Sequence, residues 1–173
     1  MAFVIKPMET EAEIRGKAYV HWKSWQETYA GIVDAGYLER QTLEKCEDMA
    51  FRYPESVLVA KDGERVVGFA AAGRYRGAEG CESDEGEVYA IYVLAGYQKQ
   101  KLGYALMQRC LSRLSGCRQI YVWVLEGNRN AVAFYEKVGF RADGEEKELL
   151  LGTPARAIRM RFSHSQAGGI TSC

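Results

Sequence analysis

The sequence predicts one mixed α/β domain, with a central sheet and helices packed against it. Three observations support that prediction. The 173 residues suffice for one domain with a substantial core but fall short of two ordinary domains. Short runs rich in β-branched residues alternate with segments whose apolar residues recur at helical spacing. The chain contains no internal repeat and no low-complexity segment.

Composition and charge are those of an ordinary globular protein and favour no charged macromolecule as partner. Apolar residues make up 47% and charged residues 27%, which is typical of a packed domain. Because 23 basic residues balance 23 acidic ones, no net charge indicates nucleic acid or an anionic membrane. No apolar run approaches about 18 residues and no signal-peptide pattern is present, so we expect a cytoplasmic protein without a membrane span. Five cysteines without Cys-x-x-Cys spacing predict neither a disulfide framework nor a metal site.

The first half of the chain predicts a strand at 3–7, two helices at 10–31 and 34–51, and a hairpin whose strands span 56–60 and 65–72. Thr10 and Asp34 are residue types that cap helix N-termini, and Pro54 ends the second helix. Asp62-Gly63 is the sequence of a tight two-residue turn between antiparallel strands.

The second half predicts a loop at 73–86, a strand at 87–94, a helix at 102–116 and a strand at 119–124. A short helix at 130–138, two closing strands at 140–143 and 155–162 and a tail at 163–173 follow. The loop is long for a compact domain, and long loops are often functional. Gly139 is the usual left-handed stop of a helix, and a turn containing Gly152 and Pro154 joins the closing strands. The small, polar tail is predicted to be disordered.

The strand–turn–helix at residues 89–107 is the most informative segment for function. A β-branched run stops at Ala95-Gly96, and helical spacing begins at Leu102. The first N–H groups of a helix lack partners within the helix, and the helix dipole adds positive charge there. Gly103 and Ala105 would let a phosphate approach the backbone closely. This segment alone is equally compatible with an ordinary strand–turn–helix that binds nothing.

Two segments together resemble the GCN5-related N-acetyltransferase (GNAT) family. Residues 87–107 match that family's strand, pyrophosphate loop and helix, and residues 128–140 match its pattern Asn-x-x-Ala-x-x-Phe-Tyr-x-x-x-Gly-Phe. The resemblance implies a GNAT domain at residues 1–162. Its fold would be a mostly antiparallel, twisted sheet with a splayed parallel strand pair and helices on both faces. One departure stands out, because Lys101 occupies the position of the first glycine of the family loop. Backbone N–H donors remain there, but lysine restricts φ and adds a charge.

The resemblance implies acetyl-CoA as co-substrate and no metal. The coenzyme would lie between the two central parallel strands, splayed near a bulge around Ala90-Ile91. Backbone groups of Ile91 and Val93 would pair with the pantetheine arm, and an N–H at or near Tyr92 would serve the oxyanion. Residues expected around the pyrophosphate are Gln98, Gln100, Lys101, Leu102, Gly103, Tyr104 and Ala105. Asn128 would contact the coenzyme or cap the following helix, and both roles are compatible.

Two residues are candidates for proton transfer. Tyr135 matches the family tyrosine that donates a proton to the departing thiolate; the alternative is an aromatic that packs the helix against the sheet. Glu87 lies where several family members place a general base; the alternative is a solvated residue at a strand start. Glu27 and Glu85 are lesser candidates for the same role.

The acceptor side is predicted from aromatic and acidic residues. Trp22, Trp25 and Tyr29 share one helical face, as core residues or as a wall that attracts an ammonium group. The acidic segment that holds Glu79, Glu82 and Glu85 would favour a cation. The two histidines, His21 and His164, have no partner spacing that indicates a metal or a catalytic triad.

The resulting functional hypothesis is transfer of acetyl from acetyl-CoA to a primary amine by direct attack. The expected acceptor is a small, cationic, polyamine-like molecule. Acetylation of a protein or peptide N-terminus and a non-catalytic acyl-CoA-binding regulatory module are the alternatives. We expect no nucleic-acid partner and leave a homodimer open.

Overall fold

Residues 3–77 and 84–163 are described by a computed structural model, which contains one seven-stranded sheet and five helices in those ranges. The strands are β1 Val4–Pro7, β2 Val57–Asp62, β3 Arg65–Arg74, β4 Glu85–Val93, β5 Gln119–Leu125, β6 Arg141–Leu151 and β7 Thr153–Ser163. The helices are α1 Glu11–Thr28, α2 Ala35–Glu39, α3 Leu43–Arg52, α4 Leu102–Arg113 and α5 Arg129–Val138. Across the sheet the order is β1-β2-β3-β4-β5-β7-β6. The β4–β5 pair is parallel, and its neighbours are antiparallel.

Helices cover both faces of this sheet. The ring of Phe69 in β3 lies 5.8 Å from the ring of His21 in α1. A Cβ atom on the adjacent Gly68 would come within 3.4 Å of Leu106 in α4. Because successive residues of a strand point to opposite faces, α1 and α4 lie on opposite sides of β3. The predicted fold class is confirmed.

The start of α1 shows how the sequence sets a helix boundary. The Thr10 hydroxyl accepts a hydrogen bond from the Glu13 N–H, and the Glu13 carboxylate accepts one from the Thr10 N–H, which is a capping box. Glu13 is only 3% exposed and also binds the ammonium groups of Lys6 at 2.9 Å and Lys61 at 3.4 Å. This network ties α1 to β1 and to the end of β2.

The parallel pair β4–β5 separates along its length. Pairing covers three positions and ends where Glu87 meets Tyr121. Two positions further along β4, the β3–β4 register shifts, so that Tyr89 is an extra residue between Val88 and Ala90. The bulge thus lies one residue before the predicted position, and the gap between the two strands opens beyond it.

Three predicted boundaries are wrong. The helix expected at 34–51 is two helices, because Arg40 ends α2 and the Thr42 hydroxyl caps α3 by accepting from the Lys45 N–H. The loop expected at 73–86 is shorter, since β3 extends to Arg74 and β4 begins at Glu85. The closing strands are longer than predicted and meet at Gly152, whose φ of +82° allows the tight turn.

The tip of the β6–β7 hairpin touches the start of α2. A Cβ atom on Gly152 would lie 2.5 Å from the Asp34 carboxylate, so the Gly152 backbone lies too close to the Asp34 side chain to carry a side chain of its own. The tail after residue 163, including His164, lies outside the described residues, as do Glu79 and Glu82. Within the described ranges, no helix combines the length and apolar character that crossing a bilayer requires.

Candidate active site

The turn before α4 presents unpaired backbone N–H groups. A short 3₁₀ turn at Ala95–Tyr97 follows β4, and Lys101 precedes the first turn of α4 without a side-chain cap. In the described part of the chain, no hydrogen bond occupies the N–H groups of Leu102, Gly103 and Tyr104. The N–H of Ala105 is already bonded to the Lys101 carbonyl at 3.0 Å. The helix start can therefore bind an anion through three N–H groups.

Lys101 has a left-handed backbone conformation, which the glycine expected at this position would adopt without strain. Its φ is +62°, and that of Lys99 is +61°. Left-handed geometry is strained for residues with a Cβ, and such strain is often found where a loop holds a ligand. The lysine therefore adopts the turn that glycine would make more easily.

Side chains of the loop bind their own backbone. Gln98 donates to the Val93 carbonyl at 3.0 Å, and Gln100 donates to the Gly96 carbonyl at 3.3 Å. A Cβ atom on Gly103 would lie 3.7 Å from the ring of Phe134, so α4 begins against α5. The two glutamines thus shape the loop, and the anion-binding groups are those of the main chain.

The register of β4 identifies which of its backbone groups face the gap. The N–H of Leu94 bonds to the Val67 carbonyl, and Tyr92 pairs with Phe69 in the same register. Alternation along an antiparallel ladder then directs the N–H of Tyr92 towards β3 and the N–H groups of Ile91 and Val93 away from it. The donor expected at or near Tyr92 is corrected accordingly, because the Tyr92 N–H belongs to the ladder.

Tyr135 lies in α5, the helix that follows β5, and Asn128 immediately precedes that helix. The Asn128 side chain accepts from the Ala131 N–H at 3.2 Å and so caps the helix. Tyr135 is 6% exposed, and its ring packs against Phe134 and Phe140. Burial and the nearby Tyr29 raise the pKa of Tyr135, which keeps its hydroxyl protonated at neutral pH.

Glu87 is a buried carboxylate on the face that α1 covers. It is 9% exposed and accepts a hydrogen bond from the Arg76 N–H at 3.0 Å. Burial raises the pKa of Glu87, and this effect outweighs the opposing bond and charge of Arg76 and the charge of Lys147. A carboxylate with a raised pKa is suited to removing a proton near neutral pH.

Two of the three aromatic residues predicted on α1 come together at this face. Trp25 and Tyr29 have ring centroids 4.7 Å apart and pack with Trp123 and Leu125 of β5. Trp22 does not join them, because its side chain packs against Ala18, Cys46 and Ala50 at the contact between α1 and α3. The predicted wall is corrected to exclude Trp22.

Each of the two lesser base candidates, Glu85 and Glu27, accepts a hydrogen bond from another group of the protein. Glu85 accepts from the Tyr121 hydroxyl at 3.1 Å, on the same face as Glu87. Glu27 accepts from the Ala95 N–H at 3.3 Å and lies 3.7 Å from Lys23, so it holds the loop after β4.

Sequence reasoning missed the cations of this face, Arg76, Lys147 and Arg159. For Lys147 and Arg159 the signal was the set of charged residues along the last two strands, whereas Arg76 lies in the loop after β3.

Comparison with known proteins agrees with this geometry. The sequence profile of the acetyltransferase (GNAT) family matches residues 19–140. An uncharacterized N-acetyltransferase of Bacillus subtilis (strain 168), YuaI, is 36% identical over 150 residues, or 84% of this chain and 85% of that protein. The [ribosomal protein bS18]-alanine N-acetyltransferase of Escherichia coli (strain K12) is 27% identical over 61% of this chain and 82% of its own length.

Solved structures share the fold. The PaiA N-acetyltransferase of Thermoplasma acidophilum, in complex with coenzyme A, superposes with a TM-score of 0.72 at 20% identity, over 95% of this chain and all of that one. The profile match spans most of the sequence and includes β4, the loop before α4 and the α5 segment. This chain is therefore a member of the GNAT family of acetyltransferases, an enzyme whose co-substrate is acetyl-CoA.

Proposed function

We propose that the enzyme acetylates a primary amine of a small molecule that arrives as a cation, as a polyamine does, by direct attack of the amine. The observation that supports this most is the gap between β4 and β5. Free N–H groups of β4 border it, the buried Tyr135 lies in α5, the helix that follows β5, and the buried carboxylate of Glu87 lies where the gap begins. No covalent enzyme intermediate is part of the proposal.

The residues present fit the coenzyme. The free N–H groups of Leu102, Gly103 and Tyr104 would hold the pyrophosphate, and Lys101 and Gln100 would border it. The N–H groups of Ile91 and Val93 would pair with the pantetheine arm as an added strand does. When bound, acetyl-CoA supplies an activated acetyl thioester.

The side chains of Glu87 and Tyr135 would then carry out the proton transfers. Glu87, with its raised pKa, takes a proton from the ammonium form of the acceptor, because only the neutral amine has a lone pair for attack. Tyr135, kept protonated by burial, donates a proton to the leaving sulfur.

The aromatic rings support a cationic acceptor. Trp25, Tyr29 and Trp123 belong to one cluster on the Glu87 face, and ring faces attract ammonium groups. Glu85 and Glu87 add negative charge to this face, two residues apart on β4. Acetylation of a peptide N-terminus is the second candidate, and the similarity to the bS18-alanine N-acetyltransferase favours it.

An acceptor screen with purified protein tests the proposal. Release of coenzyme A thiol is measured with polyamines, amino acids and peptides with free N-termini. Turnover of a small amine supports the proposal, and turnover confined to peptides supports the second candidate. Coenzyme binding without turnover of any acceptor would indicate a regulatory acyl-CoA-binding module instead.

A further inference from the structure

Two cations of the last hairpin share the face on which Glu87 lies. Lys147 pairs with Ala157, and Arg159 follows two residues later in β7, so the Lys147 and Arg159 side chains point to the same side. The Lys147 ammonium lies 4.1 Å from the ring centroid of Trp123. The Arg159 guanidinium carbon lies 4.5 Å from the ring centroid of Tyr121, and Tyr121 pairs with Glu87. Both positive charges therefore lie over the aromatic residues of β5.

The two cations differ in what balances their charge. Arg159 donates to the Asp143 carboxylate at 2.8 Å and to the Tyr75 hydroxyl at 2.9 Å. For Lys147, residues 3–77 and 84–163 supply neither an ion pair nor a side-chain hydrogen bond. The neighbouring carboxylate of Glu146 is bound by Arg156. Of these two cations, Lys147 is thus the one whose hydrogen-bond donors remain available.

The position of Lys147 places it within electrostatic reach of the candidate base. Partial burial lowers the pKa of Lys147, and the charge of Glu87 opposes that effect. A partly desolvated ammonium without a close counterion is stabilised when an anion arrives. Glu87 loses its negative charge when it accepts a proton from the acceptor, so it does not balance the charge of Lys147 throughout turnover.

We propose that the acceptor carries an oxyanionic group, a carboxylate or a phosphate, beside its reacting amine, and that Lys147 binds this group while Glu87 receives the amine. This inference rests on the proposed function. Opposite charges at the two positions would orient the molecule, because its ammonium is attracted by Glu87 and its acidic group by Lys147. The Lys147 ammonium lies over the Trp123 ring, so the edge of this ring would border the carbon chain between the two groups.

Matched acceptors that differ by one acidic group test the inference. Ornithine is compared with putrescine, lysine with cadaverine, and phosphoethanolamine with ethanolamine, in the thiol-release assay with the full chain. We expect kcat/KM to be at least about tenfold higher for the acidic member of one pair or more. The first two pairs report on a carboxylate and the third on a phosphate.

Replacement of the lysine identifies the group that binds. Lys147→Met removes a charge that also acts on Glu87, so the expected result is a fall of about tenfold in the ratio of kcat/KM for the acidic acceptor to kcat/KM for the matched amine. Lys137→Met, at an exposed position in the last turn of α5, is the control and is expected to change neither. Equal losses with both members of a pair would overturn the inference, because Lys147 would then act only on Glu87.

The two levels of the proposal fail in different ways. If amines without an acidic group are the better acceptors in every pair, the inference is wrong and the proposed acetylation of a cationic amine stands. If acetyl-CoA binds and no acceptor of any kind is acetylated, the proposed function fails and the inference fails with it.

Discussion

The hydroxyl oxygens of Tyr29 and Tyr92 lie 3.4 Å apart. Tyr29 is the C-terminal cap of α1, and Tyr92 lies in β4. This contact therefore joins α1 to one of the two strands that border the gap between β4 and β5. Burial, and then the nearby Tyr29, raises the pKa of Tyr92 and of Tyr135. The proposed proton donor thus stands near Tyr92, a phenol that also remains protonated at neutral pH.

Tyr135→Phe tests the proton donor. We expect kcat to fall about 100-fold, because the leaving thiolate loses its acid, while the Kd for acetyl-CoA stays within about twofold. Steady-state kinetics and calorimetric titration measure the two quantities. Tyr19→Phe is the control, since Tyr19 packs against Trp22 on the outer part of α1. An unchanged kcat in Tyr135→Phe would remove the tyrosine from the mechanism.

The pH dependence of kcat/KM tests Glu87. Its pKa is raised above 4.5 by burial, and only the carboxylate form accepts a proton, so activity is expected to fall as pH drops through that raised pKa. Glu87→Gln is expected to abolish this acidic limb and to lower kcat/KM about 100-fold. Glu85→Gln, two residues away on the same face, is expected to keep the limb. A limb that persists in Glu87→Gln would assign it to another group.

Lys101→Gly tests the backbone strain of the loop. Glycine tolerates the φ of +62° that lysine adopts, so the free energy of unfolding is expected to rise by about 1 kcal/mol. Lys101→Ala loses the same charge but keeps the Cβ, and we expect no such gain. Urea denaturation measures both variants. Equal stability of the two would show that the lysine conformation is not strained, and acetyl-CoA binding is expected to persist in both because the donors are backbone groups.

His21 predicts how stability depends on pH. Burial, and then the charge of Lys17, lowers its pKa from 6.5 to about 4. The unfolded chain therefore takes up a proton below pH 6.5 that the folded chain refuses until about pH 4. The contribution is fully present above pH 6.5 and is lost as pH falls towards 4, by up to about 3 kcal/mol.

Denaturation of the parent chain and of His21→Phe across that pH range measures this effect. The variant is expected to show a flatter profile between pH 6.5 and 4, whatever its absolute stability. Glu13 gives a separate signal at lower pH. Burial raises its pKa, but hydrogen bonds from Lys6, Glu9 and Thr10 outweigh burial and lower the pKa to about 2. A profile identical in parent and variant would contradict the assignment to His21.

Local signals in the sequence predict the helices and turns that side chains cap. Thr10, Asn128 and Gly139 end or begin helices where expected. The hairpin predicted at Asp62-Gly63 turns one residue later, at Gly63-Glu64, because Asp62 pairs with Arg65. The failure at 34–51 has the same origin, because Thr42 is also a capping residue inside an apolar pattern that looked continuous. The last hairpin extends beyond its predicted strands, and its turn at Gly152 contacts Asp34, which is far away in the sequence.

The pairs of side chains that meet on the Glu87 face of the sheet could not be predicted from the sequence. Their positions depend on strand register, and a slip of one residue sends each side chain to the opposite face. Arg159 and Lys147 reach Tyr121 and Trp123 only because β7 lies between β5 and β6. The coenzyme side, by contrast, is contiguous in sequence from β4 to α4, so its motif could be identified.

Backbone amide chemical shifts during titration with acetyl-CoA test the central claim most directly. The account predicts saturable shifts for the N–H groups of Leu102, Gly103 and Tyr104, together with Ile91 and Val93, and little change for Tyr92, which the β3–β4 ladder occupies. Saturable binding that left the first turn of α4 and the free N–H groups of β4 unshifted would contradict it.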